Sequence, residues 1–289
     1  YSEVIWFSPN NPDILEHDNR YASWKNSRDS VNVYKFYYQV ILLSPAWQLR
    51  DRFRFLKSHH IKIAVEYPGL SWVKNGKGYN KEGFQDPGFT DRFLAKLDEV
   101  GVPIDIIALD EPLYFGSIED VSDSAKMSIY QTVRNLNFNL SKIHKSYPNI
   151  KFGTIEPFDM MTSDYKKNLA LFLSEFKAQS GYALSFVHYD IVWDRDWRSK
   201  IQPLADISHE HGARFGVIFN SINGDGPDWR WMLNARKNIL DYFLIKEPLP
   251  DDAIFQSWNK YPIEIVPDND NHAHSSLILY YLEEKRIRH

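Results

Sequence analysis

Apolar and polar residues alternate along this chain in two rhythms that take turns. Ile61-Lys-Ile-Ala-Val-Glu66 sets Ile61, Ile63 and Val65 on one side and Lys62, Ala64 and Glu66 on the other, the two-residue period of a strand. Asp105-Ile-Ile-Ala-Leu-Asp-Glu-Pro112 repeats the pattern: Ile107 and Leu109 face outward, and Ile106, Ala108 and Asp110 face the opposite way. Glu111 stands at the lip of that strand, and Pro112 stops its ladder. Further strands are predicted over 4–8, 31–40, 151–156, 183–190, 214–220 and 253–258, rich in β-branched and aromatic residues. Between them the period lengthens. Leu49, Phe53 and Leu56 mark one face of a helix over 45–59, and similar spacing predicts helices over 90–100, 122–147, 165–179, 197–211, 228–244 and 275–286.

Strands that each lead into a helix, with short turns back into the next strand, have the cadence of an α/β fold, a single (β/α)8 TIM barrel over residues 1–289. The first unit departs from it, since a Pro/Asn-rich stretch replaces an obvious long helix after the first strand. A doubly wound open sheet would alternate in the same way, but it calls for a glycine-rich phosphate turn after an early strand, and neither G-x-G-x-x-G nor a Walker sequence occurs. No linker or low-complexity run divides the chain.

Composition narrows the partners. A formal charge of −4 argues against nucleic acid, which needs a basic face, and no apolar run approaches the ~18 residues of a membrane span. Zero cysteines exclude disulfides, thiolate catalysis and cysteine-bound zinc. The chain opens at Tyr1 without a methionine, as it would after removal of a leader, and the sequence carries no signal for any oligomeric state. Aromatic residues are the outlier at 15%, nine of them tryptophans.

A barrel of this kind carries its active site at the carboxyl ends of its strands. Continuing the strand parities to those ends collects Ser8, Lys35, Tyr37 or Gln39, Glu66, Asp110 with Glu111, Glu156, His188 with Asp190, Asn220, and Gln256 or Trp258. So many polar groups serve no folding core, because a buried carboxylate without a partner is costly. Trp72, Trp193, Trp229 and Trp258 fall in or beside the following loops, and flat indoles beside carboxylates suit the apolar faces of pyranose rings; Trp6, Trp24, Trp197 and Trp231 share such positions, and about half of the eight are expected to be core anchors. Two carboxylates suffice to hydrolyse a glycosidic bond, and Asp110 and Glu156 end consecutive strands. Strands lie about 4.8 Å apart, so such a pair meets the separation of about 5–5.5 Å that retention requires.

Asp-Glu-Pro closing the fourth strand resembles the acid-bearing strand end of TIM-barrel glycoside hydrolases. Asp110 and Glu111 there, with Glu156 on the fifth strand, are similar to the pattern of the endo-α-1,4-galactosaminidases that cut microbial exopolysaccharides. The resemblance implies a carbohydrate substrate, no cofactor, Asp110 as nucleophile, Glu156 as general acid/base and Glu111 in support; it also implies an extracellular or periplasmic setting, where such polymers lie. The chain departs from the commonest barrel glycosidases, which carry a nucleophilic glutamate on strand seven, because Asn220 stands there.

Three other readings are open. In a substrate-assisted hexosaminidase, Asp110 would orient a 2-acetamido group while Glu111 protonates the leaving oxygen. In a metal-dependent isomerase or lyase, Glu66, Asp110, Glu156, His188 and Asp190 would hold a divalent cation. In a glycan-binding barrel the same aromatics would bind without cleavage. The Asp268–His274 stretch and the Asn223–Gly226 turn read as solvated loops, and His59, His60, His209 and His211 as helix-end residues.

Overall fold

A computed structural model describes residues 2–16, 22–162, 164–246 and 248–289. Eight parallel strands close into a barrel: β1 (Val4–Ser8), β2 (Val33–Tyr37), β3 (Lys62–Tyr67), β6 (Ile106–Asp110), β7 (Lys151–Glu156), β8 (Phe186–Tyr189), β9 (Arg214–Phe219) and β10 (Asp252–Gln256). The (β/α)8 expectation is met. Two short strands, β4 (Leu70–Ser71) and β5 (Phe84–Gln85), pair with each other in the long loop after β3. Among the described residues the first unit has only the short helix Lys25–Arg28 and single turns, as the sequence foreshadows; part of that stretch, residues 17–21, lies outside them.

Register fixes which side chains enter the barrel. Trp6, Val33, Ala64, Ala108, Ile155, Phe186, Ile218 and Ile254 fill its interior, while outward residues such as Phe7, Val65, Leu109, Val217 and Phe255 pack beneath the helices. Each large side chain buried in this way contributes about 1.5–3 kcal/mol. Helix boundaries follow local chemistry. The helix expected from residue 122 begins at Ile129, because Ser128 and Gln131 form a reciprocal capping box there. Phe89–Val100 lies between two glycines at positive φ, Gly88 and Gly101. No described helix is long and apolar enough to cross a membrane.

Candidate active site

The carboxyl ends of the strands open on a groove of about 1010 Å³ lined by Tyr37, Tyr38, Glu66, Trp72, Glu82, Asp110, Glu111, Asp190, Gln256 and Trp258, among others. With Asp86, six carboxyl groups therefore line one depression. Lys81 stands at its edge, and beneath the acids lies fully buried Lys35, whose Nζ lies 2.8 Å from Glu66 Oε1 and 2.6 Å from Gln256 Oε1.

Asp110 and Glu111 are neighbours in sequence, and in an extended strand they would point to opposite faces. Glu111 instead takes a left-handed conformation, φ +51°, with its amide donating to Leu109 O (3.1 Å) and Ile155 O (3.0 Å) and its carbonyl accepting from Phe115 N (2.9 Å). A non-glycine residue held there costs about 1–2 kcal/mol, and the turn brings both carboxylates to the groove. Glu82 reaches the pair from the long loop. Lys81 is held outward by Glu119 (2.6 Å) and Asp123 (2.8 Å), while Gly83, at φ +82°, lies so close to the strand end that a Cβ would stand 3.0 Å from Asp110 O. One carboxylate oxygen each from Glu82, Asp110 and Glu111 falls within 4.8 Å of the others, near enough to share protons or hold a divalent cation together.

The acids hold their protons unusually well. Burial, then Glu66 and Glu82, lifts Asp110 well above the ordinary carboxylate range, with Lys35 pulling the other way. Burial also lifts Glu111 well above that range, reinforced by Asp110, Asp190, Glu82 and Glu156. Burial and then Glu66 raise Asp190 to about 7. Glu82 is raised by burial and Glu66, and is eased by a side-chain hydrogen bond with Asp110, which joins two carboxyls only if they share a proton.

The structure brings Tyr37, Glu66, Trp72, Asp110, Glu111, Asp190 and Trp258 together in the groove, with Lys35 beneath them. Tyr37 is fixed by its hydroxyl, which donates to Ser257 O at 2.9 Å, and Trp72 packs on Tyr79 with ring centroids 4.2 Å apart. Trp193 and Asn220 line a side pocket of about 160 Å³ that shares Asp190, Gln256 and Trp258 with the groove; Trp193 Nε1 donates to Asn220 Oδ1 at 2.9 Å. Trp229 lies apart, half exposed on the helix Asp228–Leu244. Trp6, Trp24, Trp197 and Trp231 are fully buried anchors.

Besides Trp229, two expected site residues are placed elsewhere. Asp110 pairs in register with Ile155, so on β7 the residues facing the barrel are Gly153 and Ile155, and Glu156 is turned into the outer layer. It is wholly buried; Oε2 accepts from Leu113 N (3.0 Å) and Thr154 Oγ1 (2.6 Å), and Oε1 from Tyr114 N (3.0 Å). Glu156 thus holds the turn behind Glu111 and lies outside the groove that Asp110 enters. Burial pushes it up to about 8 against those three hydrogen bonds. His188 faces inward but one tier too deep: its Nε2 meets Asp252 Oδ2 at 2.9 Å, its ring stacks on Phe186 at 4.2 Å, and burial lowers its pKa. Conversely, Glu82 lies in an aperiodic loop where no sequence signal singles it out. Gln256, inward on β10, was legible as a strand-end polar residue.

No family model and no curated protein matches this chain. Solved structures do. An endoxylanase of glycoside hydrolase family 10, retrieved from a sugarcane soil metagenome, aligns at 11% identity over 98% of this chain and 97% of its own, with a TM-score of 0.60. A fungal β-1,4-galactanase aligns at 10% identity over 98% of this chain and 100% of its own, with a TM-score of 0.56. A D-psicose 3-epimerase aligns at 10% identity over 98% of each chain, with a TM-score of 0.50. At such identities the likeness establishes the TIM-barrel fold.

Proposed function

We propose that the protein is a glycoside hydrolase that cleaves an O-glycosidic bond of a microbial poly- or oligosaccharide, outside the cytoplasm, in the groove at the carboxyl ends of its strands. The observation that carries the reading is the meeting of Asp110, Glu111 and Glu82 within 4.8 Å, in a groove edged by Trp72 and Trp258. The two catalytic roles need one ionised and one protonated carboxyl, and the surroundings separate them. Lys35 favours the ionised form of Asp110, whereas the charges of Asp110, Asp190, Glu82 and Glu156 favour the protonated form of Glu111. Glu111 therefore donates to the glycosidic oxygen while Asp110 attacks the anomeric carbon. Water then cleaves the resulting ester, its proton returning to Glu111. The positive charge that develops on the sugar ring relieves the mutual repulsion of the acids, an interaction stronger in the transition state than in the ground state. Glu66 and Asp190 extend that field, and the indoles of Trp72 and Trp258 offer stacking faces to pyranose rings. Fold neighbours that act on xylan and β-1,4-galactan are in keeping with such a substrate.

A second reading rests on the same three oxygens, which can hold a divalent cation in an isomerase or lyase. One experiment separates the two: product release from a panel of exopolysaccharides, N-acetylated and de-N-acetylated galactosaminan, xylan and galactan, by wild type, Asp110→Asn and Glu111→Gln, with and without EDTA. Hydrolysis that resists EDTA and is lost in both variants is expected. Activity abolished by EDTA and restored by a divalent metal would transfer the site to the second reading. Sugar binding without turnover, unchanged in Asp110→Asn, would make the protein a glycan-binding barrel.

A further inference from the structure

We propose that the amino-terminal end of the barrel, opposite the carboxylates, is a second binding site, which takes a small amphipathic anion with an apolar body and an acidic head group. The interior of a (β/α)8 barrel is ordinarily packed solid. Here the floor opens into a cavity of about 790 Å³, within the range of small-molecule sites.

Its roof is aromatic. Trp6 and Phe186 meet edge to face at 5.2 Å, and Phe186 in turn stacks on His188. Two inward-facing glycines make room for these rings: a Cβ on Gly153 would stand 2.3 Å from Phe186, and one on Gly216 2.5 Å from His188. The rings close the barrel between its two ends, so the floor is a compartment separate from the groove. Val33, Ile104 and Ile106 supply apolar walls.

The charges on this floor are unequal. Each of its acids is already engaged: Asp252 with Arg214 (2.8 Å) and His188 (2.9 Å), Asp105 with Lys57 (3.3 Å) and the Ile63 amide (2.8 Å), and Glu3 with Lys285 and Tyr281 (2.8 Å each). Lys62 and Lys151 stand at the foot of β3 and β7 on barrel-facing positions and line the cavity, and neither has an ion-pair partner among the described residues. Because Lys57, Lys285 and Arg214 neutralise Asp105, Glu3 and Asp252, Lys62 and Lys151 leave two positive charges on this floor beside an apolar surface. An amphipathic acid matches both, its apolar body against Val4, Ile104 and Ile106 and its anionic group between the two ammonium groups.

The test uses 8-anilinonaphthalene-1-sulfonate as probe, titrated onto the full chain by fluorescence, beside its uncharged counterpart N-phenyl-1-naphthylamine. The expected result is one saturable site that prefers the sulfonate, weakened at least tenfold in Lys62→Glu/Lys151→Glu and unchanged in Asp110→Asn. Circular dichroism of the double variant establishes that it is folded. Absence of saturable binding, equal affinity in the folded double variant, or loss of binding in Asp110→Asn would overturn the proposal; the last would place the probe in the groove.

Discussion

Glu156 offers the sharpest test of how this site is built. Strand order alone makes it the partner of Asp110, whereas its side chain accepts hydrogen bonds from the Leu113 and Tyr114 amides and the Thr154 hydroxyl. Replacement by alanine removes the acceptor for all three. The threonine hydroxyl can turn elsewhere, but the Leu113 amide is buried and the Tyr114 amide partly so. A buried N–H left without an acceptor costs about 1–3 kcal/mol, so the pair should cost about 2–5 kcal/mol. For 289 residues the unfolding entropy near the midpoint is about 0.6 kcal/mol/K, and the melting temperature should fall by about 3–8 °C. Glu156→Gln keeps one acceptor oxygen and should lose less. Thermal unfolding of both variants measures the stability loss, and turnover per folded molecule measures the chemistry, with and without added azide or formate. Turnover within about tenfold of wild type, unaffected by the small anions, is the expected outcome. Wild-type stability combined with a thousandfold loss of turnover that azide or formate rescues would refute the reasoning and return Glu156 to the reacting atoms.

Other predictions follow from the acid cluster and its supports. Between the ordinary carboxylate values near 4 and the raised values of about 7 for Asp190 and about 8 for Glu156, the folded protein binds more protons than the unfolded chain, so denaturant stability should fall as pH rises through this window and flatten above it. Asp110→Asn should abolish hydrolysis yet raise the melting temperature at pH 7, since it removes a charge that burial and three neighbouring carboxylates oppose; unchanged or lowered stability would contradict that account. Gly83→Ala, strained at φ +82° and crowded against Asp110 O, should withdraw Glu82 from the cluster and lower turnover, with a shifted acidic limb in the pH–rate profile. Trp258→Ala should raise KM about tenfold with kcat little changed if that indole stacks on a sugar outside the cleaved bond.

The barrel is legible in the chain because it depends on periodicity, which is local. Ile61 to Glu66 and Asp105 to Asp110 have one apolar and one mixed face, so their parity can be read directly. Lys151 to Glu156 is different: Phe152 and Ile155 are both apolar and lie on opposite faces, with Gly153 and Thr154 between them. Which face turns inward is settled by register against Ile106 to Asp110, a long-range property, and a one-residue difference in parity reverses every side chain. That is why Glu156 was expected in the groove and stands behind it. Depth fails for the same reason at His188, which has the inward parity of Asp190 but sits a tier below it. Glu82 was hidden by a further cause, since a loop has no period and the contact of Gly83 with Asp110 O spans the gap between two barrel strands.

The acid cluster and the turn behind it are best understood together. Left-handed Glu111 and the close approach of three carboxyls are each unfavourable, and both persist because neighbouring groups over-determine them. Glu156 fixes the Leu113 and Tyr114 amides, Phe115 N holds the Glu111 carbonyl, and Gly83 seats the loop on Asp110. Under the proposed mechanism, a residue in the outer layer bears on the reaction through geometry alone. The double variant Glu156→Gln/Glu111→Gln separates this positioning role from a chemical one. If Glu156 acts only by holding Glu111, then once Glu111 can no longer donate a proton, altering Glu156 should cost stability but no further turnover. Additive losses in turnover would instead mean that each carboxyl meets the substrate in its own right.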